Sequence, residues 1–183
     1  YNTYINYMQF KDPADTIKEL YLKEGEIVAE LGAGSGWYTR EASRRVGHTG
    51  KVYALEVQKE LVDTLRNRTR DEGLGNIECV WANIEIRGGT KLADRLIDAS
   101  IVANVLFQIE DKVGFAREVA RITKPGGRVM IIDWVGMSEG AGPKGDHVVT
   151  EASERKLFEE TGFSFDRSFN PGTHHYGIIM KKT

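Results

Sequence analysis

Three observations predict an α/β fold built on a parallel sheet. Short apolar runs alternate with stretches of helical spacing along most of the chain. The first run, at 27–31, ends in glycines that open a helix. The last two runs follow one another across Asn170-Pro171-Gly172 with no helix between them. A short Pro-Gly connection of that kind is a hairpin, so one strand at the end is antiparallel. The parallel part then requires right-handed crossovers.

Taken in order, Asp12 is placed to cap a short helix with Pro13 at its first position. Ile27-Val28-Ala29-Glu30-Leu31 is an apolar run closed by glycines, a buried strand. Residues 37–46 have helical character, and 51–57 form the second strand. Leu61, Val62 and Leu65 recur at helical spacing within 58–72, and Gly73-Leu74-Gly75-Asn76 breaks that helix. Strand three is 77–81. Strand four, 96–103, is almost wholly apolar, as a strand covered on both faces should be. Val113, Ala116, Val119 and Ala120 mark a helix over 111–123. Pro125-Gly126-Gly127 then turns the chain into strand five at 128–134. A helix at 151–161 precedes strands at 163–169 and 176–182. Residues 135–150 read as a long loop, of the kind that often serves as a functional lid.

The 183 residues suit a single domain. Within it, 1–20 is a leading segment, 21–134 the core, and 135–183 a loop, helix and terminal hairpin. A sole cysteine, Cys79, rules out an internal disulfide framework. Lys and Arg number 25 against 27 Asp and Glu, which argues against a surface built to grip nucleic acid. No apolar run approaches the ~20 residues of a membrane span. No stretch has the form of a signal peptide, so a cytoplasmic setting is expected. Since the chain starts at Tyr1, some N-terminal residues are expected to precede it.

The strongest local signal is Glu30-Leu31-Gly32-Ala33-Gly34-Ser35-Gly36. It follows a strand and opens a helix, the context a ligand-cradling loop requires. The spacing is G-x-G-x-G; the third glycine of the dinucleotide pattern G-x-G-x-x-G would fall at Trp37, where an indole obstructs close packing. Glu56 ends strand two, 20 residues after Gly36, where a carboxylate accepts from both hydroxyls of a ribose. Glu30 adds a carboxylate at the mouth of strand one. Negative charge repels a pyrophosphate and attracts an ammonium or sulfonium, so a cationic nucleoside is favoured over NAD.

With these residues in register, the sequence resembles the class I S-adenosylmethionine-dependent methyltransferases, in their small single-domain, type 11/25-like form. The likeness covers about 20–182. It also rests on Ala82-Asn83-Ile84, on the run from Ile97 to Leu106, and on Lys124-Pro125-Gly126-Gly127-Arg128. It implies a Rossmann-like, doubly wound seven-stranded sheet of order 3-2-1-4-5-7-6, with strand 7 antiparallel. It implies S-adenosyl-L-methionine as cofactor. Gly32, Ala33, Gly34 and Gly36 would pass along its methionine part and ribose, with Glu30 beside them. Glu56 and the adjoining Val57 would hold the ribose hydroxyls, Asn83 and Ile84 would line the adenine, and Asn104 would lie near the methyl and amino-acid end. The adenine-contacting position is usually Asp in this family; Asn83 keeps an oxygen that can accept from the adenine amino group.

Within that family several chemistries are excluded. Amino-methylating enzymes of nucleic-acid bases resemble one another in an Asn/Asp-Pro-Pro-aromatic motif, but Asn104-Val105-Leu106-Phe107 has no proline. Pyrimidine carbon methylation needs a nucleophilic cysteine, and arsenic methylation needs several; Cys79 sits inside strand three and reads as buried. Ligands of such sheets bind at the carboxyl ends of the strands. That end holds Asp133, the loop with Asp146 and His147, and the turn with His174 and His175. The three histidines are therefore candidate acid–base or substrate contacts, with a metal or a purely structural role as alternatives. Adjacent residues of a strand point to opposite faces, so His174 and His175 cannot share one ion, and no metal is expected. His48 lies in a turn at the opposite edge and is expected to be solvated. Tyr4, Tyr7 and Met8 are candidates for a lid. The core consumes most of the chain, which favours a small-molecule acceptor, with no nucleic acid, no membrane partner and no oligomeric state implied. The acceptor atom stays open, as do a non-catalytic cofactor-binding protein and a protein or RNA methyltransferase.

Overall fold

The computed structural model describes residues 12–136, 143 and 147–183. Tyr4, Tyr7, Met8, Asp146 and much of the loop at 135–150 lie outside them. In chain order the elements are α1 (Pro13–Thr16), a 3₁₀ turn (Ile17–Leu20), β1 (Ile27–Leu31), α2 (Trp37–Val46), β2 (Lys51–Glu56), α3 (Lys59–Asp71), β3 (Ile77–Trp81) and β4 (Ile97–Ala103). A second 3₁₀ turn (Leu106–Gln108), α4 (Lys112–Ile122), β5 (Thr123–Trp134), α5 (Glu151–Glu159), β6 (Phe163–Phe169) and β7 (His175–Lys182) complete it.

All seven strands join one sheet of order β3-β2-β1-β4-β5-β7-β6, the order implied by the resemblance. Pairing is parallel as far as β5, and β7 runs antiparallel to both of its neighbours. Side chains that alternate along the strands fill two layers. On one face Leu31, Val102 and Ile131 pack with Phe115, Val119 and Phe158 of α4 and α5. On the other, Val28, Ile101 and Met130 pack with Ile17, Leu20, Ala42 and Val46.

Pro125-Gly126-Gly127, expected as a turn ahead of strand five, lies inside β5. The ladder with β4 steps from Ile97–Thr123 to Ala99–Arg128, so 124–127 arch out of it. Gly126 takes φ +77° at the crest, a left-handed angle that suits glycine. Lys124 Nζ clamps the arch to Asp98 at 2.6 Å. The turn chemistry was correct, but pairing resumes on both sides of it. Cys79, expected to be buried, is only half-buried because β3 is an edge strand. His48 is exposed as expected.

Candidate active site

A cavity of about 810 Å³ opens at the carboxyl ends of β1, β2 and β4. That falls within the range of small-molecule sites. Its floor is the glycine loop. Gly32 and Ala33 both donate their N–H groups to Leu55 O at 2.9 Å, which ties the loop across to β2. A Cβ on Gly32 would stand 2.3 Å from Val105 Cγ2, and one on Gly36 would stand 2.2 Å from Leu65 Cδ1. At Gly34, with φ +50°, a Cβ would meet nothing within 4 Å. Packing therefore demands glycine at 32 and 36, whereas the backbone angle and the open cavity demand it at 34.

Two carboxylates meet this loop from different strands. Glu30 of β1 is buried and accepts from Thr39 Oγ1 of α2. Burial pushes its carboxyl up to about 8, and the charge of Glu56 adds to the rise. The hydrogen bonds from Thr39 and the charge of Arg40 only partly oppose this. Glu56, at the end of β2, is also buried. Its Oε1 accepts from Val57 N (2.8 Å) and Gln58 N (3.0 Å), and its Oε2 from Gly34 N (3.0 Å). Of roughly four lone-pair positions on a carboxylate, one is left for a ligand hydroxyl. A second ribose hydroxyl would have to replace Gly34 N.

Asn104 follows β4 with φ +56°, a conformation asparagine tolerates better than most residues. Its N–H donates to Ile132 O at 2.8 Å and its carbonyl accepts from Gln108 Nε2 at 3.1 Å. Its Oδ1 is buried with no hydrogen-bond partner among the described residues. A buried acceptor without a donor is costly unless a ligand supplies one. On the far wall, Asn83 Oδ1 accepts from Glu85 N at 3.0 Å, so this oxygen shapes its own turn and keeps one further acceptor position.

The cavity brings together Glu30, Gly32, Ala33, Gly34, Glu56, Val57, Asn83, Ile84 and Asn104; Gly36 stands behind the wall, against Leu65. None of His147, His174 and His175 is part of this lining. The strand count puts them at the correct end of the sheet, but β5 separates β7 from β4, and the cavity spans β1, β2 and β4. His175 is buried against Trp134, with ring centroids 4.1 Å apart, and its Nδ1 lies 3.1 Å from Thr173 O. Burial, together with the charge of His174, holds its pKa below the ordinary histidine value. His174 itself takes φ +68°, and His147 is exposed.

Sequence reasoning missed Pro13, Trp37, Tyr38 and Gln108 on the wall. The Asp12-Pro13 helix start was readable, but its place beside the glycine loop comes from α1 packing on α2. Trp37 is 58% exposed at the rim, where Arg40 lies 4.8 Å from its ring, so the indole turns outward rather than into the helix–strand contact.

Comparisons with known proteins agree with this architecture. The methyltransferase-domain family matches residues 29–131. The ubiquinone/menaquinone biosynthesis C-methyltransferase UbiE of Hahella chejuensis is 32% identical over 120 residues, 65% of this chain and 47% of that one. Its counterpart in Klebsiella pneumoniae subsp. pneumoniae is 32% identical over 114 residues, 62% of this chain and 44% of that one. The chain thus spans slightly less than half the length of the curated relatives it matches. A SAM-dependent methyltransferase structure from Aquifex aeolicus superimposes with a TM-score of 0.86 at 29% identity, covering 95% of this chain and 91% of that one. Because the family match runs from β1 into β5, over more than half of the sequence, the chain belongs to the methyltransferase-domain family, among the class I S-adenosylmethionine-dependent methyltransferases.

Proposed function

We propose that this chain transfers a methyl group from S-adenosylmethionine to a small-molecule acceptor. The observation that carries the reading is the conjunction of an open glycine cradle at Gly34 with two buried carboxylates, Glu30 and Glu56, on its rim. The bound cofactor supplies a methyl activated by a sulfonium charge, so the protein's task is chiefly alignment. Glu56 would hold the ribose, and Asn83 with Ile84 would flank the adenine. Glu30, neutral at pH 7 while its site is uncompensated, would ionise against a cation. Asn104 Oδ1 would accept from a ligand N–H.

The acceptor side of the reading rests on the aromatic and apolar wall of Pro13, Trp37 and Tyr38, which suits an apolar, planar molecule. The names of the relatives support carbon as the acceptor atom. No proton step is assigned to His147, His174 or His175, which stand off the cavity. A cytoplasmic setting belongs to the same reading. Among the described residues no helix is long and apolar enough to cross a membrane.

Incubating the chain with S-adenosylmethionine and a panel of hydroxylated aromatic acceptors tests the reading. Formation of S-adenosylhomocysteine that depends on an acceptor is expected. Tight cofactor binding with no turnover across such a panel would favour a non-catalytic binding protein.

A further inference from the structure

Glu85, two residues past the adenine wall, also borders a second cleft of about 820 Å³ that runs along α4 to the end of β7. Five cations stand in it. Arg121 is committed: it donates to Glu118 and to Asp94. Lys182 Nζ donates to Thr161 O at 2.9 Å and sits over the Phe163 ring. The remaining three are Arg87 and Arg95 from the β3–β4 connection and Arg117 from α4. All three are exposed, and among the described residues none makes an ion pair or a side-chain hydrogen bond.

The acids of the cleft each have a hydrogen-bond partner of their own, none of them Arg87, Arg95 or Arg117. Glu85 accepts from Glu110 N and Asp111 N, Asp94 accepts from Arg121, and Asp111 caps α4 through Gly114 N. Positive charge is also crowded here: burial and the charge of Arg95 together hold the Lys182 amine below its ordinary value. Guanidiniums offer planar forks of donors that match phosphate oxygens. Three of them, from two elements and in one concavity, suit a ligand with several anionic oxygens. Glu85, Asp94 and Asp111 border the same cleft, so a compact polyanion fits among the arginines better than a long one that would also run past the acids.

We propose that this cleft binds a compact polyanion of the di- or polyphosphate class, held by Arg87, Arg95 and Arg117. The proposal is independent of the methyl-transfer reading. Inorganic pyrophosphate is titrated calorimetrically into the full chain at low salt, beside the R87Q/R95Q/R117Q variant and a Glu56→Ala variant. The wild type is expected to bind, and more weakly as salt is raised. The triple variant should lose at least about tenfold in affinity, the scale of one lost charge-assisted contact. Glu56→Ala should keep pyrophosphate binding while binding S-adenosylmethionine more weakly. Because the three arginines are exposed, circular dichroism of the triple variant should match the wild type. Absence of wild-type binding, equal binding by the triple variant, or a single-stranded RNA oligonucleotide that binds more tightly than pyrophosphate would each overturn the proposal.

Discussion

At the scale of single residues, Glu30 and Gly34 separate what serves the ligand from what serves the fold. With its carboxyl near 8 against an ordinary 4.5, Glu30 keeps a proton in the folded chain that the unfolded chain has already released. Its contribution to stability is therefore fully present below about 4.5 and fades as pH rises through about 8. Glu30→Gln should flatten that part of the stability profile in denaturant titrations. It should also remove the rise in affinity for a cationic nucleoside that the wild type is expected to show between pH ~6 and ~9. The same pH dependence in both chains would mean that Glu30 does not face the cation. The glycines give a second contrast. Gly34→Val should abolish cofactor binding at a cost of about 1–2 kcal/mol for the left-handed backbone. Gly32→Ala should instead lower the melting temperature markedly, since its Cβ would collide with Val105. Normal cofactor binding by Gly34→Val would disprove the cradle. The sequence showed the glycine spacing but could not divide the three glycines this way, because Val105 and Leu65 approach them from distant elements.

At the scale of elements, the crossovers hold because a few polar networks are completed between them. Glu118 of α4 is fully buried. Burial alone would raise its carboxyl, yet hydrogen bonds from Arg121, Thr90 and the Gly88 and Thr90 amides hold it at about 2. This stability is present above the ordinary value of 4.5 and is lost as pH falls toward 2. Glu118→Ala should cost roughly 3–5 kcal/mol, because Arg121 and the 88–90 turn lose their shared acceptor. Chemical denaturation checks this; a loss under about 1 kcal/mol would show that the turn is held by something else. Helix α4 itself was legible from its apolar spacing, whereas the link at 88–90 was not. A glutamate on an amphipathic helix gives no sign that a loop thirty residues earlier will close over it. The arch at 124–127 was legible as turn chemistry, but its inclusion within β5 depends on the ladder with β4.

At the scale of the whole molecule, alternation of strand and helix together with one terminal hairpin was enough to anticipate a mostly parallel sheet with one antiparallel strand, while the strand order came from the family resemblance. Each crossover has little topological freedom, and a hairpin admits only an antiparallel strand. Lateral position across the sheet was the harder quantity. Residues at the carboxyl ends of strands share one end of the molecule, but only sheet order decides which of them meet. Glu30, Glu56 and Asn104 end neighbouring or near-neighbouring strands and converge, while His174 and His175 begin a strand beyond β5. The central claim is that the convergence of β1, β2 and β4 builds an S-adenosylmethionine site rather than a dinucleotide site. Calorimetric titration of S-adenosylmethionine and of NAD into the wild type and Glu56→Ala tests it most directly. Saturable binding of S-adenosylmethionine is expected, weakened by roughly 1–3 kcal/mol in Glu56→Ala through lost charge-assisted hydrogen bonds, with NAD silent. Binding of NAD without S-adenosylmethionine, or nucleoside affinity unchanged by Glu56→Ala, would contradict it.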